Sequence, residues 1–277
     1  MTTTDLTPPL VPASSRAGRR TRLGWSVGDS IVLIGRSMRH SLRAPDSLLI
    51  GVALPVLLLL LFTYVFGGAI EAGIAHSDYI DYVVPGVILL TAGFAAGQTA
   101  AGITNDMTTG VIDRFRSLPI NNWIVVLGHV VASMVRNLVS TTLVIVVALL
   151  MGFSPTASLL EWLGAIGMII LFILMMTFVA VMFGLLAKSV DAAFGFSFFI
   201  VFLPYVSSAF VPTETMPSVL HGFAEHQPLT PIIETVRGLL MGMPIGDSAW
   251  QGVLWCVAIL AVVIPISGRL FRRRTAS

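Results

Sequence analysis

The residues of this chain that could do chemistry fall into four small groups. Lys188, followed by Ser189, is the only lysine able to close a phosphate-binding loop, yet the G-x-x-x-x-G-K-[ST] pattern demands glycine where Met182 and Ala187 stand. This chain therefore does not bind ATP by that route, and any ATP-driven work needs a nucleotide-binding partner. His221, Glu225 and His226 read H-x-x-x-E-H, one residue out of register with the H-x-x-E-H of inverted zinc proteases, so no metal site is expected there. There is no G-x-S-x-G, and no pair of carboxylates falls within an apolar run, which leaves no catalytic residue to nominate. His129, Arg136 and Asp191 are the few ionisable groups near apolar runs that a proton-coupled carrier would need at the membrane midplane. The fourth group is a charged island at residues 104–122, TNDMTTGVIDRFRSLPINN. Read as a helix, Met107, Val111, Phe115 and Leu118 form one stripe while Asp113, Arg114 and Arg116 point elsewhere. That is the pattern of a short helix lying on a membrane surface and offering a docking face to something soluble.

The surroundings of the island make it conspicuous. Of 277 residues 56% are hydrophobic and 11% charged, against about 25% charged in a soluble domain, and the mean hydropathy is +0.91. The chain reads as an all-α integral membrane protein with room for about six spans of roughly 20 residues each. Cys256 is the single cysteine, so neither a disulfide nor a cysteine-based metal site can form within one chain. A formal net charge of +2 gives no case for a nucleic-acid partner.

Residues 1–24, rich in Thr, Pro, Ser and Arg, are expected to be a disordered tail. Over residues 25–43, Val27, Ile31, Ile34, Met38 and Leu42 recur at helical spacing opposite Asp29, Arg36, Arg39 and Arg43, which predicts an interfacial helix on the cytoplasmic leaflet. Pro45 breaks that helix. The membrane domain, residues 25–268, then has spans at about 48–68, 82–103, 123–153, 162–187, 192–211 and 250–268, followed by a basic tail at 269–277. Residues 212–247 are too long for a turn and too apolar for a solvated loop, so two short helices dipping into the outer leaflet as a re-entrant hairpin are expected. Pro55, Pro85, Pro204 and Pro265 sit in or at the edge of spans, where each permits a kink.

Charge orients the spans. Fourteen of the sixteen basic residues lie in the N-terminal arm, the island, the Lys188 turn and the C-terminal tail, making these the cytoplasmic segments, with both termini inside. The opposite loops carry Glu71, Asp78, Asp81, Glu161, Glu214, Glu225, Glu234 and Asp247, balanced by Arg237. Gln98, Thr99, Arg136 and Asn137 are candidates to line a substrate path, although interhelical packing accounts for them equally well.

Three stretches resemble one family. Residues 84–120, and above all Gly110-Val111-Ile112-Asp113-Arg114-Phe115-Arg116-Ser117-Leu118-Pro119, are similar to the second span and following loop of type-two ABC exporter permeases of the daunorubicin-resistance kind. Leu42-Arg43-Ala44-Pro45-Asp46 resembles the end of that family's connecting helix. Gln227-Pro228-Leu229-Thr230-Pro231, followed by Arg237-Gly238, resembles its N-P-x-T-P…R-G motif, with Gln227 where that motif has asparagine. The resemblance runs from about Arg22 to Arg269. It implies an export permease with no catalytic role of its own, paired with a second, identical permease and two copies of a separate ATPase that binds ATP and magnesium. It also assigns ATPase docking to a coupling helix that includes Thr108, Gly110, Val111, Asp113, Arg114, Phe115, Arg116 and Leu118, and an outer-hairpin role to Gln227, Pro228, Thr230 and Arg237. The implied cargo is a drug or hydrophobic natural product. Export of a lipid or glycan is the alternative within the family, and a proton-coupled carrier is the alternative outside it.

Overall fold

The computed structural model describes residues 45–71, 78–109 and 123–276, and all described regular structure is helical. The predicted interfacial helix at 25–43, with Arg36, Arg39 and Arg43, lies outside the described residues. Helix α1 (Pro45–Leu60) continues through a π-helical segment, Leu61–Phe66, into a last turn, Gly67–Glu71. There follow α2 (Tyr79–Thr108), α3 (Trp123–Leu150), α4 (Leu159–Leu186) and α5 (Val190–Phe202). Two short helices, α6 (Ser218–His226) and α7 (Leu229–Met241), lead to the terminal α8 (Ser248–Ala276).

Helix α2 is the axis of the bundle. Of its most apolar stretch 89% is buried, against 17% for α1 and 22% for α8, so α2 is the core and the other two show most of their surface outward. The run AGFAAGQTAAG within α2 explains this, because small side chains let neighbouring backbones come close where lipid supplies no hydrophobic drive between helices. The tightest crossing is with α4. A Cβ added at Gly184 would sit 2.6 Å from the Ala100 carbonyl oxygen, and the Thr104 hydroxyl donates to the Gly184 carbonyl at 2.9 Å. Gly184→Val should therefore lower stability in detergent by about 1–3 kcal/mol or more. Gly93→Ala, at a position with nothing within 4 Å, should leave the unfolding midpoint unchanged in the same assay.

Several predicted ends move, with α2 running on to Thr108 and α8 through the basic tail to Ala276, and two differences have a visible cause. Helix α3 stops at Leu150 instead of continuing to 153, because Gly152 takes φ 108°. Phe153 N–H donates to Ala148 O at 3.0 Å and Gly152 N–H to Leu149 O at 3.2 Å, a left-handed glycine stop that tucks buried Phe153 under the last turn. The larger difference is at the fifth expected span, 192–211. Among the described residues five helices are long and apolar enough to cross a membrane, and α5 is not one of them. Its 13 residues reach about 20 Å at about 1.5 Å per residue, short of a hydrocarbon core of about 30 Å. The chain then tightens into a 3-10 turn, Leu203–Val206, and continues as non-helical backbone with Ser207, Ser208, Ala209 and Phe210 buried. Pro204 brings no N–H to a helical ladder, and the Ser207 side chain offers the backbone a substitute. Its hydroxyl donates to Pro204 O at 2.6 Å and accepts from Ala209 N at 3.2 Å.

Candidate functional site

Non-helical backbone deep in a membrane protein survives only where its polar groups are satisfied by other protein groups. The broken segment after α5 meets this condition through the residues of the Q-P-L-T-P…R-G stretch. Gln227 lies between α6 and α7 and is buried. Its Nε2 donates to Val206 O at 2.5 Å and lies 3.4 Å from Leu203 O. Pro228 occupies the N-cap of α7, and Thr230 donates to Ala224 O at 2.5 Å, locking the turn between the two short helices.

Arg237 is the centre of this latch. It is 5% exposed and works in four directions. Nε donates to Tyr82 O at 3.1 Å, Nη2 to Ser208 O at 2.6 Å and Nη1 to Glu234, while the guanidinium carbon lies 3.8 Å from the centre of the Tyr82 ring. Tyr79 adds a bond from its hydroxyl to Phe210 O at 2.9 Å. The backbone itself comes close at this point: a Cβ on Gly86 would fall 2.7 Å from the Ala209 carbonyl oxygen. Thus α2, the broken segment and α7 are sewn together by three side chains from two sides. Sequence reading found Gln227, Thr230 and Arg237 but not Tyr79, whose signal was only its place in the first turn of a span.

A second polar constellation runs through the middle of the bundle. Thr99 on α2 gives its proton to Ala95 O at 3.1 Å. It then accepts from Arg136 Nη2 at 2.9 Å and from Ser133 Oγ at 2.7 Å. Having spent its own proton on Thr99, Ser133 accepts from Thr177 of α4 at 3.2 Å. Asn137 Nδ2 donates to Ser133 O at 3.1 Å. Three of the four predicted path residues therefore meet here, Thr99 and Asn137 on Ser133 as the hub and Arg136 on Thr99. The fourth, Gln98, has its Nε2 beside Gly51 of α1. The hub, Ser133, and its partner Thr177 were not singled out in the sequence, although Ser133 precedes Arg136 by three residues and Asn137 by four, on one helical face. Beyond it the Asn137 Oδ1 and Thr141 Oγ1 atoms are buried without a hydrogen-bond partner among the described residues. Ser133→Ala should cost only about 1 kcal/mol, the scale of interhelical hydrogen bonds in membranes, and thermal unfolding in detergent would measure it.

Of the charged island, Thr108 alone among the docking residues is described. Its hydroxyl donates to Thr104 O at 3.0 Å in the last turn of α2, while Gly110, Val111, Asp113, Arg114, Phe115, Arg116 and Leu118 lie outside the described residues. The same end of the bundle carries a His129–Asp106 pair at 2.9 Å tying α3 to α2. Arg274 of α8 donates to Ala187 O at 2.6 Å, capping the end of α4. At the opposite end His221 stands 3.8 Å from Glu225, and the His226 ring faces Gly222 O at 3.0 Å. Among the described residues no three His, Cys, Asp or Glu side chains converge to hold a metal ion.

A bundle of long apolar helices around one buried axis, with a latched break in one element and a polar thread through its centre, defines a polytopic membrane protein of the permease class. The family is identifiable as well: the chain belongs to the ABC-2 type transporter family, whose pattern matches residues 30–241. It is similar to the daunorubicin resistance ABC transporter permease protein DrrB1 of Streptomyces coeruleorubidus, 27% identical over 264 residues that cover 94% of this chain and 92% of that protein. It is also similar to the probable doxorubicin resistance ABC transporter permease protein DrrC of Mycobacterium tuberculosis, 21% identical over 264 residues, 95% of this chain and 94% of that one. The chain is thus the membrane permease of an ABC transporter, in line with the resemblance carried by the island and the hairpin motif.

Proposed function

We propose that this permease exports drugs or hydrophobic natural products across the plasma membrane, energised by a separate ATP-binding subunit. The observation that carries the reading is the likeness to a daunorubicin resistance permease along 94% of this chain and 92% of the relative. Docking falls on residues 108–118, and α2 supports that choice. The island follows directly from the most buried helix of the bundle, so a push delivered there enters the axis against which α4, α5 and α3 all pack.

Both termini face the cytoplasm in this proposal. The Arg274 cap, Lys188 and the end of α2 share one end of the bundle, consistent with positive charge gathering inside. Helix α5, its 3-10 turn and the segment through Phe210 together cross as a broken fifth span, which with α8 makes six, and the α6–α7 hairpin lies over its outer end. The transporter contains two copies of the permease and two ATP-binding subunits, the latter holding ATP and magnesium. Gentle purification of the tagged chain with its membrane partners, followed by mass measurement of the intact complex, tests this architecture. The expected result is two permeases with two ATPase chains; a chain that transports when reconstituted alone would overturn it.

A further inference from the structure

A cavity of about 380 Å³ opens at the hairpin end, between the start of α2, the Thr213–Thr215 turn and α7. This volume lies within the range of small-molecule sites, roughly 300–1,000 Å³. Three carboxyl groups line it, Asp81, Glu214 and Glu234, with Arg237 as the cation among the lining residues. Arg237 is already committed to Glu234 and to the carbonyls of Tyr82 and Ser208. Asp81 and Glu214 therefore have no cationic partner among the described residues.

Asp81 is the telling residue. Its side chain is 7% exposed, and its hydrogen bonds are to Ser154, whose backbone N–H lies 3.1 Å from Oδ1. A buried carboxylate is ordinarily matched by a cation, and here the space beside it is a cavity instead of a side chain. The remaining walls are mixed: Met241, Met243 and Pro212 are apolar, Thr213 and Thr230 bring hydroxyls, and the Tyr82 ring has Arg237 over it. Two carboxylates without a cation and an adaptable methionine surface suit a cation that has N–H donors and an apolar body.

From this lining we infer that the cavity is a binding site for an organic ammonium ion, whose N–H groups donate to Asp81 while Glu214 balances the charge from the mouth. The binding site stands on the chemistry of the cavity. Its use as a station on the outward route rests on the export reading above.

The test is saturable binding of a dansyl-labelled primary alkylamine to the full chain in lipid nanodiscs, with the signal of empty discs subtracted. The N-acetylated form of the same probe is the neutral comparison. The wild-type chain should prefer the amine by at least about tenfold, the scale of one charge-assisted hydrogen bond. Glu214→Gln and Asp81→Asn should each erase most of that preference, the asparagine keeping an acceptor for Ser154. Equal affinity for the amine and the amide would overturn the site and leave a neutral, protonated Asp81 as the better description. An unchanged preference in both variants would overturn it too. Loss of ATPase capture with amine binding intact would strike the export reading alone. Efflux of a neutral hydrophobic compound with no amine preference would strike the site alone.

Discussion

Arg237→Met will unfasten the hairpin end of the bundle, at a cost of about 3–5 kcal/mol, the range for breaking a buried charged network from one side. Methionine can cover the Tyr82 ring, but it leaves the Tyr82 and Ser208 carbonyls without their donors, and a buried polar group without its partner costs about 1–3 kcal/mol. Arg237→Lys should recover less than half of the loss. An ammonium cannot serve two carbonyls and a carboxylate in a planar fork while lying flat on a ring. Glu234→Gln should matter little, within about 1 kcal/mol, because Glu234 is 38% exposed and its pair is partly screened. The ranking Met worst, Lys intermediate and Gln mild can be read from thermal unfolding of the purified chain in detergent. Protease accessibility around residues 207–217 should rise in the same order. Equal stability of wild type and Arg237→Met would mean that the broken segment is held by packing alone.

The latch also shows what a sequence of this kind reveals. Long apolar runs bounded by charge are legible because the period and length of a span are local properties, and α1 to α4 and α8 emerge close to where hydropathy places them. The break in the fifth run is not legible that way. Its residues are apolar in the manner of the other spans, and the outcome depends on donors that come from elsewhere in the chain, Tyr79, Gln227 and Arg237. Pro204 hinted at a kink, but a lone proline cannot say whether the helix resumes. The polar thread is intermediate in this respect. Thr99, Arg136 and Asn137 attract notice as polar residues in apolar helices, whereas Ser133 and Thr177 are common in membrane helices and gain meaning only when α2, α3 and α4 meet. Gln227 illustrates the reverse: it stands where the resembled motif has asparagine, and its side chain brings an amide N–H to the Val206 carbonyl.

The second large effect is expected at the island. Combined Asp113→Ala, Arg114→Ala and Phe115→Ala should weaken capture of the ATP-binding subunit by about a hundredfold or more, since docking contacts concentrate in a few charged and aromatic residues worth about 2 kcal/mol or more each. Efflux should fall with it. Membrane insertion and the unfolding midpoint should not change, because the Thr104–Gly184 and His129–Asp106 contacts that fasten the end of α2 are kept in the variant. This separation distinguishes docking from the simpler idea that the arginines only orient the spans. If they were topology determinants and nothing more, Arg114→Ala with Arg116→Ala would invert or scramble the termini, and Phe115→Ala alone would be silent. If the island transmits force, Phe115→Ala alone will reduce coupled ATP hydrolysis while the orientation of both termini stays that of the wild type. The aromatic residue carries the discrimination because its loss changes no charge.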